Sequence, residues 1–171
     1  MKNSNKIQDN PEKINIFLAE DDKEDCLLFK EALAELPGFS ALTIFPNGEQ
    51  LMKGLTKKQN KLPDVLFLDL NMPRKNGFAT LGAIKRNNKL DSLPVVILST
   101  VYEEHKINQV YSDAAHYYVR KPTEFAELKN VILKALSLIV KKKTPLPKKE
   151  DFILKSDVEL LSNEIKAASK K

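Results

Sequence analysis

The chain has 171 residues, a formal net charge of +5, one cysteine and 42% hydrophobic residues. This length allows one ordinary domain with a small appendage, and the hydrophobic fraction is sufficient for its core. A single cysteine excludes an intramolecular disulfide. No apolar run is long enough to span a bilayer, and the polar N-terminus lacks the pattern of a secretory signal. We therefore expect a cytoplasmic protein with no membrane partner.

Segments with the apolar pattern of buried strands alternate along the chain with segments of helical periodicity. The predicted strands lie at about residues 14–19, 41–45, 65–69, 95–99 and 116–120. The predicted helices lie at about residues 23–36, 48–58, 78–88, 103–112 and 124–141. This alternation predicts an α/β domain in which a parallel sheet carries helices on both faces.

Composition divides the chain into four predicted parts. Residues 1–12 are polar and predict a flexible arm, and residues 13–141 form the predicted domain. Lys and Pro dominate residues 142–151, which predicts an extended linker. Residues 152–171 are predicted to form an amphipathic helix and a short tail, because apolar side chains recur there with helical spacing, at Leu154, Val158, Leu161 and Ile165.

Four of the predicted strands end in polar side chains. Glu20 and Asp21 follow the first strand, Asp69 and Ser99 close the third and the fourth, and Lys121 follows the fifth. The carboxyl ends of parallel strands meet at one edge of a sheet, and ligands bind at this edge in open α/β folds. We therefore expect these side chains to lie close together.

These side chains suit phosphoryl chemistry. The carboxylates form an oxygen-rich site of the kind that holds Mg²⁺, and Ser99 and Lys121 can contact phosphoryl oxygens. Asp69 is the expected nucleophile, because a carboxylate can form an aspartyl phosphate. Structural explanations remain open: acids also cap helices, Asp69 could begin the turn toward Pro73, and Ser99 could cap the following loop.

The segments Glu20-Asp21, Asp69-Leu70-Asn71-Met72-Pro73, Ser99-Thr100 and Lys121-Pro122 resemble, in order and spacing, the signature of response-regulator receiver domains. The resemblance covers about residues 13–140. It implies the flavodoxin-like, doubly wound (βα)5 fold of CheY-like receivers, with strand order 2-1-3-4-5, here followed by the appended C-terminal helix. It also implies a stand-alone signalling protein of two-component systems rather than an enzyme.

The resemblance implies a role for each site residue. Asp69 would accept a phosphoryl group from a histidine kinase or a phosphotransfer protein, assisted by Ser99 and Lys121. Glu20, Asp21, Asp69 and the backbone carbonyl of Asn71 would hold Mg²⁺. Binding of the phosphoryl oxygen by Ser99 would let Tyr118 turn inward, which would reshape the fourth helix and fifth strand; plain packing is the alternative for Tyr118. The site residues are therefore Glu20, Asp21, Asp69, Asn71, Ser99, Tyr118 and Lys121.

The residues around the site give three further expectations. Thr100 and Val101 stand where phosphate access is controlled, and their bulk and lack of a water-orienting group predict a phosphorylated state that is not especially short-lived. The family implies a cis Lys121–Pro122 bond, the alternative being a trans proline that begins the last helix. Ala114 occupies a position before the fifth strand where the family often has glycine.

Two alternative functions use parts of the same pattern. Haloacid-dehalogenase-like phosphohydrolases also combine a strand-end Asp with Mg²⁺, but they need a second acid where this chain has Asn71. The basic residues of 141–171 could contact nucleic acid, but interspersed acids favour a solvated linker, so nucleic acid is not an expected partner. A homodimer would form through the fourth helix, fifth strand and fifth helix, or through the C-terminal helix.

Overall fold

A parallel sheet forms the centre of the molecule, whose computed structural model describes residues 13–36, 41–141 and 145–157. Its strands are β1 (Asn15–Ala19), β2 (Ala41–Phe45), β3 (Val65–Leu68), β4 (Val95–Ser99), β5 (Tyr117–Arg120) and β6 (Ile153–Leu154). They are ordered β2-β1-β3-β4-β5-β6, and every neighbouring pair is parallel. The predicted flavodoxin-like order 2-1-3-4-5 is confirmed.

Helices cover both faces of this sheet, and one follows each of its first five strands. They are α1 (Lys23–Ala34), α2 (Gly48–Thr56), α3 (Gly77–Lys85), α4 (Glu104–Ser112) and α5 (Phe125–Lys141). One apolar core joins the sheet to α1 and α5 through residues such as Phe29 and Ile132. The other joins it to α2, α3 and α4 through residues such as Leu51, Leu81 and Ile107. None of the helices in the described ranges could cross a membrane.

The start of α1 determines which acids remain free for chemistry. The Asp22 side chain accepts hydrogen bonds from the backbone N–H groups of Glu24 and Asp25, at 2.8 and 3.0 Å, and so caps the helix. Capping therefore uses Asp22 and leaves Glu20 and Asp21 at the end of β1. The sequence had left open whether these two acids serve the helix instead.

The segment after α5 differs from its prediction. Residues 149–151 form a 3₁₀ turn, and β6 pairs with β5 where the start of the C-terminal helix was predicted. The reason is that Ile153 and Leu154 reach opposite faces of the sheet, one packing against each core, while their backbone covers the open edge of β5. Asp157, at the end of the described range, has a helical backbone.

Several predictions fall on residues outside the described ranges. These are the N-terminal arm at 1–12, the first part of the linker at 142–144 and the C-terminal helix and tail at 158–171. The boundary at residue 141 between domain and linker also stays a prediction. What the described part adds is that β6 belongs to the same sheet as β1 to β5.

Ala114 has a left-handed backbone, with φ of 63°, in the turn between α4 and β5. We expect Ala114→Gly to raise the free energy of unfolding by about 0.5–1 kcal/mol. Relief of about 1–2 kcal/mol of left-handed strain should exceed the added entropy of the unfolded chain, about 0.4–1 kcal/mol. Urea unfolding measures this, with Ala83→Gly inside α3 as the control, which should cost about 1 kcal/mol. Equal losses in both variants would show that the turn is unstrained.

Candidate functional site

Three carboxylates meet where β1 and β3 end. The two strands are neighbours in register, with Ala19 beside Leu68, so the residues that follow them lie side by side. Glu20, Asp21 and Asp69 each offer an oxygen, and these oxygens all lie within 4.8 Å of one another. Glu20 and Asp69 are only 3% and 4% exposed, whereas Asp21 is open to solvent. This group of hard oxygen ligands could hold a divalent cation such as Mg²⁺.

Burial disfavours the charge on the two inner carboxylates. It raises the pKa of Glu20 and of Asp69 above their usual values, although Lys121 acts in the opposite direction on both. Asp69 also accepts hydrogen bonds from the backbone N–H groups of Asn71 and Leu70 and from the Ser99 side chain, which lower its pKa. A bound divalent cation would favour the charged forms of both carboxylates, because it supplies the countercharge that water cannot.

Lys121 is the cation that faces these acids. Its Nζ lies 2.6 Å from Glu20 Oε2, 2.7 Å from Asp25 Oδ2 and 3.7 Å from Asp69 Oδ2. Burial opposes the charge on Lys121, but hydrogen bonds to Asp25 and Glu20 outweigh it and raise the pKa of the ammonium. Lys121 is therefore charged at neutral pH and sits at the site that the strand-end pattern predicted for it.

The prediction of a cis Lys121–Pro122 bond is wrong, because the described residues contain no cis peptide. The Lys121 N–H donates to the Ser99 carbonyl at 3.0 Å, at the end of the pairing between β4 and β5. The strand pairing therefore directs Lys121 toward the acids without an isomerised bond, and the trans form is the ordinary state of most prolines.

Ser99 and Tyr118 are connected through Val101. Both side chains are fully buried, and the Val101 N–H donates to Ser99 Oγ at 3.3 Å. The Tyr118 hydroxyl donates to the Val101 carbonyl, and burial raises the pKa of this phenol to about 12. A movement of Ser99 would therefore reach Tyr118 through a single residue.

The remaining predicted residues lie around the acids. Thr100 is exposed and Val101 is partly buried, both in the loop that follows β4. Asn71 is exposed after β3, with its N–H directed to Asp69. Its carbonyl as a metal ligand stays a prediction, as do the access roles of Thr100 and Val101.

Asp25 is the site residue that the sequence analysis missed. It lies in the first turn of α1, and its side chain, 40% exposed, forms one of the two shortest ion pairs of Lys121. Acids in a first helical turn usually interact with the helix dipole, so the pattern alone does not point to a distant lysine. The available signal is its position in the first turn of the helix that directly follows Glu20 and Asp21.

Comparison with known proteins agrees with this geometry. The family model for the response regulator receiver domain matches residues 16–133. Response regulator Rcp1 of Synechocystis is 32% identical over 125 residues, which are 71% of this chain and 84% of Rcp1.

Two solved structures extend the comparison. The phosphorylated cyanobacterial phytochrome response regulator RcpA is 30% identical with a TM-score of 0.71, covering 80% of this chain and 99% of RcpA. The Mn²⁺-bound form of Rcp1 is 27% identical with a TM-score of 0.66, covering 78% and 99%.

Receiver domains are signalling proteins of two-component systems and are not generally classed as enzymes, which argues against the phosphohydrolase alternative. The matched residues include the acids at the ends of β1 and β3, the serine that closes β4 and the lysine that follows β5. The chain therefore belongs to the response regulator receiver domain family.

Proposed function

We propose that this protein accepts a phosphoryl group on Asp69 and passes the signal on by protein contact. The observation that carries the proposal is the buried Asp69 carboxylate, which lies beside two other acids and 3.7 Å from the Lys121 ammonium. Asp69 Oδ would attack the phosphorus of a phosphohistidine, so that a P–O bond forms while the P–N bond breaks. The donor would be a histidine kinase or a phosphotransfer protein.

The surrounding residues would stabilise the transferred group. Phosphoryl transfer depends mainly on positioning and on neutralising the charge of the phosphoryl oxygens. Lys121 would move the short distance from its present partners to one oxygen, and Ser99 Oγ would donate to another. Mg²⁺ held by Glu20, Asp21 and Asp69, with the Asn71 carbonyl, would supply further positive charge; the Mn²⁺-bound form of Rcp1 supports a divalent cation here.

The signal would leave the site through Ser99. If Ser99 turns toward the phosphoryl group, its hydrogen bond from Val101 is lost, and Val101 also holds the Tyr118 hydroxyl. The phosphoryl group would thereby favour one of two arrangements of α4 and β5. β6 covers the edge of β5. A homodimer through α4, β5 and α5 would therefore also involve β6.

Intact mass after incubation with acetyl phosphate tests the proposal. We expect a gain of one phosphoryl group with Mg²⁺ and none with EDTA. Borohydride reduction of the acyl phosphate, followed by peptide mapping, should place the group on Asp69. No gain with Mg²⁺, or a phosphoryl group on a different residue, would contradict the proposal.

A further inference from the structure

The three acids near Lys121 lie at different distances from its ammonium. Its Nζ lies within 2.7 Å of Glu20 and Asp25 oxygens, but 3.7 Å from Asp69. Lys121 is only 13% exposed, so its charge depends on these carboxylates more than on water. The ammonium therefore pairs with Glu20 and Asp25 and lies farther from Asp69, the expected phosphoacceptor.

Asp25 differs from the other acids in its relation to the cation site. The group of converging oxygens comprises Glu20, Asp21 and Asp69 and does not include Asp25. A divalent cation bound there would draw on Glu20 and Asp69, which are two of the three partners of Lys121. Asp25 would then be the one partner that Lys121 keeps.

The position of Asp25 is fixed by the backbone. Its N–H donates to the Asp22 cap at 3.0 Å, and the next residue, Cys26, donates its thiol to the Glu20 carbonyl at 3.6 Å. These contacts tie the first turn of α1 to the end of β1. Asp25 can therefore hold the ammonium at a defined place, which a freely rotating surface acid could not do.

Building on the proposed function, we propose that Asp25 is a positioning residue that shares the Lys121 ammonium with Glu20 and so weakens its competition with Mg²⁺ for Glu20 and Asp69. Without the Asp25 charge, Lys121 would pair more closely with those two acids. Mg²⁺ would then have to displace an ammonium that Asp25 otherwise shares with Glu20. The effect of Asp25 on the metal is therefore exerted through Lys121.

Mg²⁺ titration of the full chain, followed by backbone NMR, tests this in a double-mutant cycle. We expect Asp25→Asn to weaken Mg²⁺ binding about fivefold, and Asp25→Glu to restore most of it. Lys121→Met should strengthen Mg²⁺ binding, and adding Asp25→Asn to it should then change the affinity less than about twofold. Glu24→Gln removes one exposed acid from the same turn and should have little effect.

The NMR spectra report whether each variant is folded. Asp25→Ala is a second variant that lacks the Asp25 carboxylate. Asp25→Asn could instead weaken Mg²⁺ binding by the same factor in the wild type and in Lys121→Met. That result would overturn the proposal, because Asp25 would then act on the metal by its own charge. An unchanged affinity in Asp25→Asn would overturn it as well. If the wild type gains a Mg²⁺-dependent phosphoryl group in either case, the proposed function stands while this inference fails.

Discussion

Asp69→Asn is expected to abolish phosphorylation by acetyl phosphate and, at the same time, to stabilise the fold. An amide nitrogen or oxygen cannot form the acyl phosphate, so no phosphoryl group should be gained with or without Mg²⁺. The fold should persist because Asn has nearly the same size and its Oδ1 can accept part of the hydrogen bonds that Asp69 receives. Intact mass spectrometry and urea unfolding measure the two effects.

The expected gain in stability comes from removing a buried charge. Asp69 is 4% exposed, and Lys121 retains its two closest partners, Glu20 and Asp25, in the variant. Replacement of such a carboxylate by a neutral group of equal shape should raise the free energy of unfolding by about 1 kcal/mol or more at pH 7. Added Mg²⁺ should stabilise the wild type and have little effect on the variant.

The pH dependence of this gain has a definite sign. Burial raises the folded pKa of Asp69 above its ordinary value of 3.8, so the folded state binds the proton more tightly than the unfolded state. The cost of the charge is therefore absent below the unfolded pKa and grows as the pH rises through the folded pKa. The advantage of Asp69→Asn should be full at pH 7 and smaller in acid. Glu24→Gln is the charge-matched control.

A variant that is phosphorylated as fast as the wild type would contradict the assignment of Asp69. A variant that is less stable than the wild type at pH 7 would show that the carboxylate contributes more through its partners than its burial costs. The two outcomes are independent, because the first concerns nucleophilicity and the second concerns electrostatics in the folded state.

The sequence predicted that the polar residues at the strand ends would lie close together, and geometry explains why they do. Val65–Leu68 is apolar throughout, which predicted a strand buried on both faces, and it is fully buried. Once such strands are parallel, the residue after each one must lie at the same edge. This constraint alone brings Asp69, Glu20 and Lys121 together, without any knowledge of side-chain conformations.

The features that the sequence did not reveal depend on tertiary packing. Which acid holds Lys121 is decided by the approach of α1 to the end of β5, and several acids in the same stretch satisfy the local pattern equally well. Leu154 of β6 fits the predicted helical spacing as well as a strand, and the edge of β5 decides between the two. Short segments of this kind are determined by their neighbours rather than by their own periodicity.

Phe152→Ala is expected to lower the free energy of unfolding by about 3 kcal/mol, toward the low end of the range for buried phenylalanines. The ring is 1% exposed and packs edge to face on Tyr111 with centroids 5.0 Å apart. Its ring centroid also lies 6.4 Å from that of Tyr118. The low end is expected because Phe152 borders a cavity of about 330 Å³ that opens to solvent, so water can enter the space that is created. Urea unfolding followed by circular dichroism measures the loss.

Leu146→Ala is the matched control, since Leu146 lies in the same segment but is 47% exposed, and it should change stability by less than about 0.5 kcal/mol. A large loss for Phe152→Ala alone would mean that the folded unit extends through β6, beyond the boundary predicted at residue 141. The backbone supports this outcome, because the Tyr118 N–H donates to the Phe152 carbonyl at 2.9 Å. Equal, small effects in both variants would instead make the segment after α5 dispensable to the fold, and the contact with Tyr118 would then contribute nothing to its position.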